Sequence, residues 1–226
     1  RHGEDTPHAD IGDALYYLGN LLDDQGELDG AEKYYVECLP MFKKVHGEDT
    51  PHVAVATTLY ALGGLLWNRG EWDGAEQFLR ECLAMYRKLY GEDTPHKNIA
   101  GTLQVLNLVV KEQGDLDQAE KLIREALEMY RELYGKDTPH LQIAVSLHDL
   151  GCLLHAKGDL DGAEQSCREA LKMKKQVYGE DTPHKTIAVT LGRLGKLLHD
   201  RGDLDGAEEY LQEALAMLMK VYGEDK

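Results

Sequence analysis

The chain has 226 residues, with 41 acids against 25 lysines and arginines and a formal net charge of −16. It carries no basic stripe to neutralise phosphates, which argues against nucleic-acid binding. It also has no run of about 18 apolar residues and no charged-then-apolar leader, which reads as a soluble cytoplasmic protein without a membrane span. Of the 41 acids, 31 fall at positions that recur down the chain, so the acidity is mostly architectural.

Those positions belong to a repeat. Gly91-Glu92-Asp93-Thr94-Pro95-His96 stands nearly unchanged at Gly3, Gly47, Gly135 and Gly179, and a stub of it closes the chain from Gly223; the step is 44 residues each time. A period of this size implies a stack of small elements, each unable to bury a core alone. The pattern predicts one repeat domain over 1–226, with repeats at 7–50, 51–94, 95–138, 139–182 and 183–226. Residues 1–6 read as the tail of a preceding repeat, which suggests an array cut from a longer one.

In chain order, each repeat opens with the hexapeptide as a corner. Its glycine is expected to end one helix in the left-handed conformation, its threonine to cap the next, and its proline to take the first helical position. Helix A should then start at Pro95 and carry Ile99, Leu103, Leu106 and Val110 on one face, ending near Gly114. Asp115 and Asp117 supply a cap and a dipole-favoured acid for helix B, whose apolar face is Leu116, Ala119, Ile123, Leu127 and Tyr130. Both helices should be about 18 residues long and antiparallel. Pro40 sits deep in the first helix B, where a kink is expected. Cys38, Cys82, Cys152 and Cys167 show no Cys-x-x-Cys spacing and read as buried reduced thiols.

At Leu59, Leu62-Gly63 and Leu66 of helix A, and Ala75 and Leu79 of helix B, the letters resemble the tetratricopeptide repeat, in the long variety found in kinesin light chains. The resemblance covers all five repeats and implies an all-α, right-handed α-solenoid of five helix-turn-helix repeats, ten antiparallel helices in all. Asn107 departs from it by replacing the small glycine of the third repeat. The paired asparagines of the light chains are absent, so their peptide specificity does not carry over.

The repeats can be compared with one another, and their disagreement clusters on one side of helix A. Those places hold Tyr16, Tyr17 and Asn20, with Asp13, Asp23 and Asp24, in the first repeat, and Tyr60, Trp67 and Asn68 in the second. The third has Gln104 and Lys111, the fourth His148 and His155, and the fifth Arg193, Lys196 and His199. The family resemblance implies that these positions line a concave groove that grips a peptide or a partner helix. Large aromatic residues on such a face suit binding hot spots, whereas drift on an unconstrained surface is the bland alternative.

His8, His52, His96, His140 and His184 form a ladder, one per corner, for which a local role at the helix start is favoured over metal binding. A sharper cluster is His148, Cys152 and His155 on one face of helix A, with His199 one repeat on. Imidazole and thiolate suit zinc or copper, but chance grouping is the plainer reading, and no cofactor is expected. No phosphate-binding loop, nucleophile elbow or His-Glu-x-x-His motif occurs, so no enzyme is expected.

The reading is a protein-interaction scaffold, with a structural spacer or self-assembling module as the alternative. Head-to-tail association through uncapped ends follows from the apolar set Leu211, Leu215, Met217, Leu218, Val221 and Tyr222 in the last helix.

Overall fold

The computed structural model describes residues 8–223. The expected tail at 1–6, the first copy of the corner up to Pro7 and the closing stub after Gly223 lie outside them. Among the described residues there are ten α-helices and no strand. The A helices are α1 (Ala9–Asp24), α3 (Val53–Arg69), α5 (Lys97–Glu112), α7 (Leu141–Lys157) and α9 (Lys185–Arg201). The B helices are α2 (Leu28–His46), α4 (Trp72–Tyr90), α6 (Leu116–Tyr134), α8 (Leu160–Tyr178) and α10 (Leu204–Gly223). The fold class is the all-α helical-repeat solenoid that the period predicts.

The chain divides into two compact units, 1–114 and 115–226. In the first, α1 packs on α2 and α3 on α4, while α3 and α5 each pack on the B helix before them; α3 also touches α1 and α5. In the second, α7 packs on α8 and α9 on α10, α7 and α9 pack on α6 and α8, and α7 touches α9. The buried sides are those the periodicity marked. Leu59, Leu62, Leu65 and Leu79 are at most 1 % exposed in the first unit, and Ile143, Leu153, Ile187 and Leu191 are fully buried in the second. Each such side chain contributes about 1.5–3 kcal/mol.

Close approach of A to B explains Gly63. A Cβ there would meet Leu79 at 2.6 Å and the Ala75 carbonyl at 3.3 Å. Asn107 occupies the equivalent place, is 1 % exposed, and has no hydrogen-bond partner on either amide atom.

The corner is built differently from the sequence expectation. Gly91 has φ 102° and ψ 144°, a positive-φ extended conformation beyond the left-handed helical one, and its N–H donates to the Arg87 carbonyl (2.9 Å). The threonine does not cap a helix. Its N–H closes a four-residue turn onto the corner glycine, as from Thr50 to the Gly47 carbonyl (3.1 Å). Nor does proline begin the helix, which starts at Lys97 rather than Pro95. The cap is the histidine: Nδ1 of His8, His52, His96, His140 and His184 each accepts the N–H two residues on. A ring at the end of helix B stacks on that imidazole, Tyr90 on His96 at 3.5 Å and Tyr178 on His184 at 3.7 Å. Stacking selects histidine because one flat ring serves as acceptor and as cover. The histidine ladder therefore has the local role expected of it.

Helix B is capped as expected at Asp115, Asp159 and Asp203, whose carboxylates accept from Gln118, Gly162 and Gly206. Glu27 and Glu71 stand at the same place without a side-chain cap bond. The helix runs unbroken through Pro40, which lies on the exposed side of α2. The A helices are 16–17 residues long rather than 18, and α2, α4, α6 and α8 have 19.

Successive repeats are also clamped by polar side chains. The last residue of helix A, or the one after it, reaches back to two acids of the preceding helix B: Arg69 to Asp29 and Glu32, Gln113 to Asp73 and Glu76. In the second unit Lys157 reaches Asp117 and Glu120, and Arg201 reaches Asp161 and Glu164. A second clamp joins B helices, Lys43 to Glu81, Arg131 to Glu169 and Lys175 to Glu213. Exposed pairs of this kind contribute about 0–1 kcal/mol each. Their effect is on register as much as on stability.

Candidate functional site

In the first compact unit the variable stripe of α1 carries Asp13, Tyr16, Tyr17, Asn20, Asp23 and Asp24 along one helical face. Tyr17 is 69 % exposed. Tyr16 is half-buried, edge-on to Tyr17 at 6.0 Å and tilted against Tyr35 at 5.9 Å. The Tyr35 hydroxyl donates to Asn20 Oδ1 (2.7 Å), which fixes the amide carbonyl and leaves its N–H donors for another acceptor. None of Asp13, Asp23 and Asp24 has a cationic partner among the described residues. Burial and the neighbouring Asp24 hold the Asp23 carboxyl above its ordinary range.

On α3, Tyr60 is 37 % exposed, and burial of the rest of the ring raises its phenol. Beside it lies a cleft of about 270 Å³ lined by Thr57, Tyr60 and Tyr86 with Lys97, Asn98 and Gly101 of α5. Asn68 is exposed. Trp67 is not the open groove residue that its sequence position suggested: it is half-buried, and its indole Nε1 is buried without an acceptor. On α5, Gln104 is half-buried and Lys111 is taken up by Glu112 at 3.1 Å.

The second unit uses the same positions otherwise. Lys174 of α8 stands where α2, α4 and α6 have Phe42, Tyr86 and Tyr130, and it is 3 % exposed. Its ammonium donates to Thr190 Oγ1 (2.8 Å). The Thr190 hydroxyl donates to the Thr186 carbonyl (3.0 Å), so His148 Nδ1, 3.3 Å away, is the donor to that oxygen. His148 Nε2 is then the acceptor facing Cys152 Sγ at 3.6 Å. Desolvation, with Lys174 and Arg193 adding to it, pushes the imidazole down to about 4, so it is neutral at pH 7. Burial likewise lowers the Lys174 ammonium.

This geometry separates the residues of the candidate metal cluster. His155 Nε2 lies 2.8 Å from Asp200, and His199 Nδ1 is 3.3 Å from the same carboxylate. Those two contacts hold Asp200 below its ordinary range, the His199 bond first. No group of three or more His, Cys, Asp or Glu among the described residues is placed to hold a metal ion. Arg193 is half-buried, and Lys196 and His199 are exposed.

Cys38, Cys82 and Cys167 are buried, and burial pushes the Cys82 and Cys167 thiols up to about 12. Cys152 is half-buried rather than fully so.

Sequence comparison missed Tyr86, Lys97 and Asn98 beside Tyr60, because they lie off the helix A stripe. It also passed over Lys174, although a lysine in a column of aromatics is a readable signal.

Residues 102–226 match the family described as the MalT-like TPR region, and residues 10–88 match the tetratricopeptide repeat. Among curated proteins none matches the sequence. Among solved structures, BtubC (BKLC) from P. vanneervenii is 22 % identical with a TM-score of 0.80, over 94 % of this chain and 83 % of that one. A putative kinesin light chain of nearly identical TPR-like repeats from Podosopora anserina is 15 % identical with a TM-score of 0.76, over 96 % and 99 %. A Rap protein complexed with Competence and Sporulation Factor is 15 % identical with a TM-score of 0.72, over 92 % of this chain and 53 % of that one. At these identities the likeness is one of fold. No helix among the described residues is long and apolar enough to cross a membrane.

Proposed function

Because the chain belongs to the tetratricopeptide-repeat family, its helix A face is the surface to interpret, and we propose that it is a protein-interaction scaffold whose first compact unit grips a peptide segment. The observation that carries this reading is that Tyr17 on α1 and Tyr60 on α3 are exposed on the variable stripe, while Asp13, Asp23 and Asp24 on the α1 stripe have no cationic partner among the described residues. Exposed tyrosines offer large contact area at low entropic cost. The acids give that area a sign. The fitting partner is a segment with lysine or arginine beside an aromatic or aliphatic side chain, the cation lying over a tyrosine ring and against a carboxylate. Asn20, its carbonyl engaged by Tyr35, supplies N–H donors to a main-chain carbonyl of the segment.

In the Rap structure the bound molecule is Competence and Sporulation Factor. That ligand belongs to Rap; the precedent for this chain is only that such a fold accommodates a ligand. The spacer reading gives no reason for exposed tyrosines or for acids without a cationic partner.

The test is selection of a displayed random-peptide library on the intact 226-residue chain, with counter-selection on the Tyr16→Ala/Tyr17→Ala/Tyr60→Ala variant. Enrichment of basic–aromatic peptides that lose binding to the variant is expected. Failure to enrich, or peptides that bind both proteins equally, would overturn the proposal.

A further inference from the structure

Because the histidine caps helix A, the corner threonine is left with a hydroxyl that the fold does not use. Thr50, Thr94, Thr138 and Thr182 are all exposed, and none of their hydroxyls has a hydrogen-bond partner among the described residues. What the turn takes from the threonine is its N–H, which donates to the corner glycine carbonyl from Thr50 (3.1 Å) and from Thr182 (3.2 Å). The side chain lies over that glycine. A Cβ added at Gly91 would meet Thr94 Oγ1 at 2.6 Å, and one at Gly179 would meet Thr182 Oγ1 at 2.7 Å. That contact calls for a glycine and makes no use of a hydroxyl.

Each of these threonines is followed by a proline and then by the capping histidine. The histidine backbone is extended, with φ −143° and ψ 134° at His96 and φ −144° and ψ 131° at His184. The chain therefore leaves the turn extended, and among the described residues there is no strand beside it. The residue after the histidine divides the corners into two kinds. Lys97 and Lys185 stand there after Thr94 and Thr182, whereas Val53 and Leu141 follow Thr50 and Thr138. Both lysines are exposed and have no ion pair among the described residues.

We infer that Thr94 and Thr182 are phosphate-accepting sites for a protein kinase that reads the proline after the acceptor and the cation two residues further on. In the transfer the threonine Oγ attacks the γ-phosphorus of ATP, which the kinase holds with Mg²⁺. The new Oγ–P bond forms as the bond from that phosphorus to the β–γ bridging oxygen breaks; ADP leaves, and the hydroxyl proton passes to the kinase's catalytic aspartate. Each phosphate adds a charge of about −1.5 to −2. At Thr94 this charge enters three residues from Lys97, the one charged residue lining the cleft beside Tyr60. On the reading of the helix A face as a contact surface, the modification offsets the cation of that cleft.

The experiment incubates the intact chain with MgATP and a purified cyclin-dependent kinase, a proline-directed enzyme that selects a cation at the third residue after the acceptor. Peptide mass mapping over time locates the phosphate. Thr94 and Thr182 should be modified roughly tenfold faster than Thr50 and Thr138. Lys97→Met should slow transfer to Thr94 by roughly fivefold and leave Thr182 as fast as before. A free peptide of residues 88–102 serves as the unfolded reference. A chain that takes up no phosphate, transfer to the peptide but not to the folded chain, four threonines modified at one rate, or a Lys97→Met rate equal to wild type would each overturn the inference. None of these outcomes bears on the scaffold reading, which the peptide library tests separately.

Discussion

On α1 and α3 the variable face keeps Tyr17 and Tyr60 open to solvent, and Asp13, Asp23 and Asp24 of α1 have no cationic partner among the described residues. On α7 and α9 the same helical positions hold His148, His155 and Arg193, and two of these are engaged from within, His148 by Thr190 and Cys152 and His155 by Asp200. The cores beneath are nearly the same, a ladder of leucines and isoleucines at matching positions. The difference teaches that core positions determine the repeat while one face of helix A is left free to vary. The first unit leaves its tyrosines open to solvent, and the second has turned several of its groups on one another.

The largest expected effect that sharpens this contrast is acid sensitivity of the second unit. His148 is pushed down to about 4 in the folded protein, against about 6.5 when unfolded. A folded imidazole that resists protonation contributes stability above pH 6.5, and this is lost as pH falls toward 4. The loss is as much as about 3 kcal/mol for a shift of this size. Urea unfolding of the wild type should weaken over that window, and His148→Gln should flatten the slope; identical slopes would remove the assignment. The capping histidines add a smaller slope of the same sign, since burial lowers His52 and His96.

A step smaller is Lys174→Tyr, which restores the aromatic seen at Tyr86 and Tyr130. Removing an ammonium whose burial outweighs the pull of Asp149 should stabilise the chain by about 2 kcal/mol. Destabilisation in chemical unfolding would mean that the Lys174–Thr190–His148 relay contributes more than its desolvation costs.

The first unit has a polar burden of its own. Asn107→Ala should stabilise by about 1–2 kcal/mol, because both amide atoms are buried without partners. A thermal midpoint that falls would show that the side chain fills space the smaller residue leaves empty. Below that lies His96→Ala, expected to cost about 1 kcal/mol as a lost N-cap, which thermal melts at neutral pH would measure.

Helices and their buried faces were legible because a 44-residue period repeats every apolar column five times, so chance letters average out. The corner was read wrongly in detail. Threonine and proline are strong start signals, but the positive φ of the corner glycine, 100° at Gly47, directs the chain into a turn that uses the Thr50 N–H, and the start passes to His52. The variable face was legible as a set of positions. Accessibility within it was not, since whether Trp67 or His148 turns outward depends on neighbours from other helices. Lys174, which lies on helix B, reorganises a helix A face that pattern alone treats as independent.

The central claim is that the helix A face of the first unit is the contact surface, and calorimetric titration of one library-selected peptide tests it most directly. The peptide is titrated into wild type, Tyr60→Ala and Gln77→Ala, the last an exposed residue of α4 outside the stripe. The account predicts at least a tenfold loss of affinity for Tyr60→Ala, about 1.4 kcal/mol or more, with a melting temperature close to wild type, and no change for Gln77→Ala. Equal affinity for all three proteins, or a loss at Tyr60→Ala that tracks unfolding of the array, would contradict it.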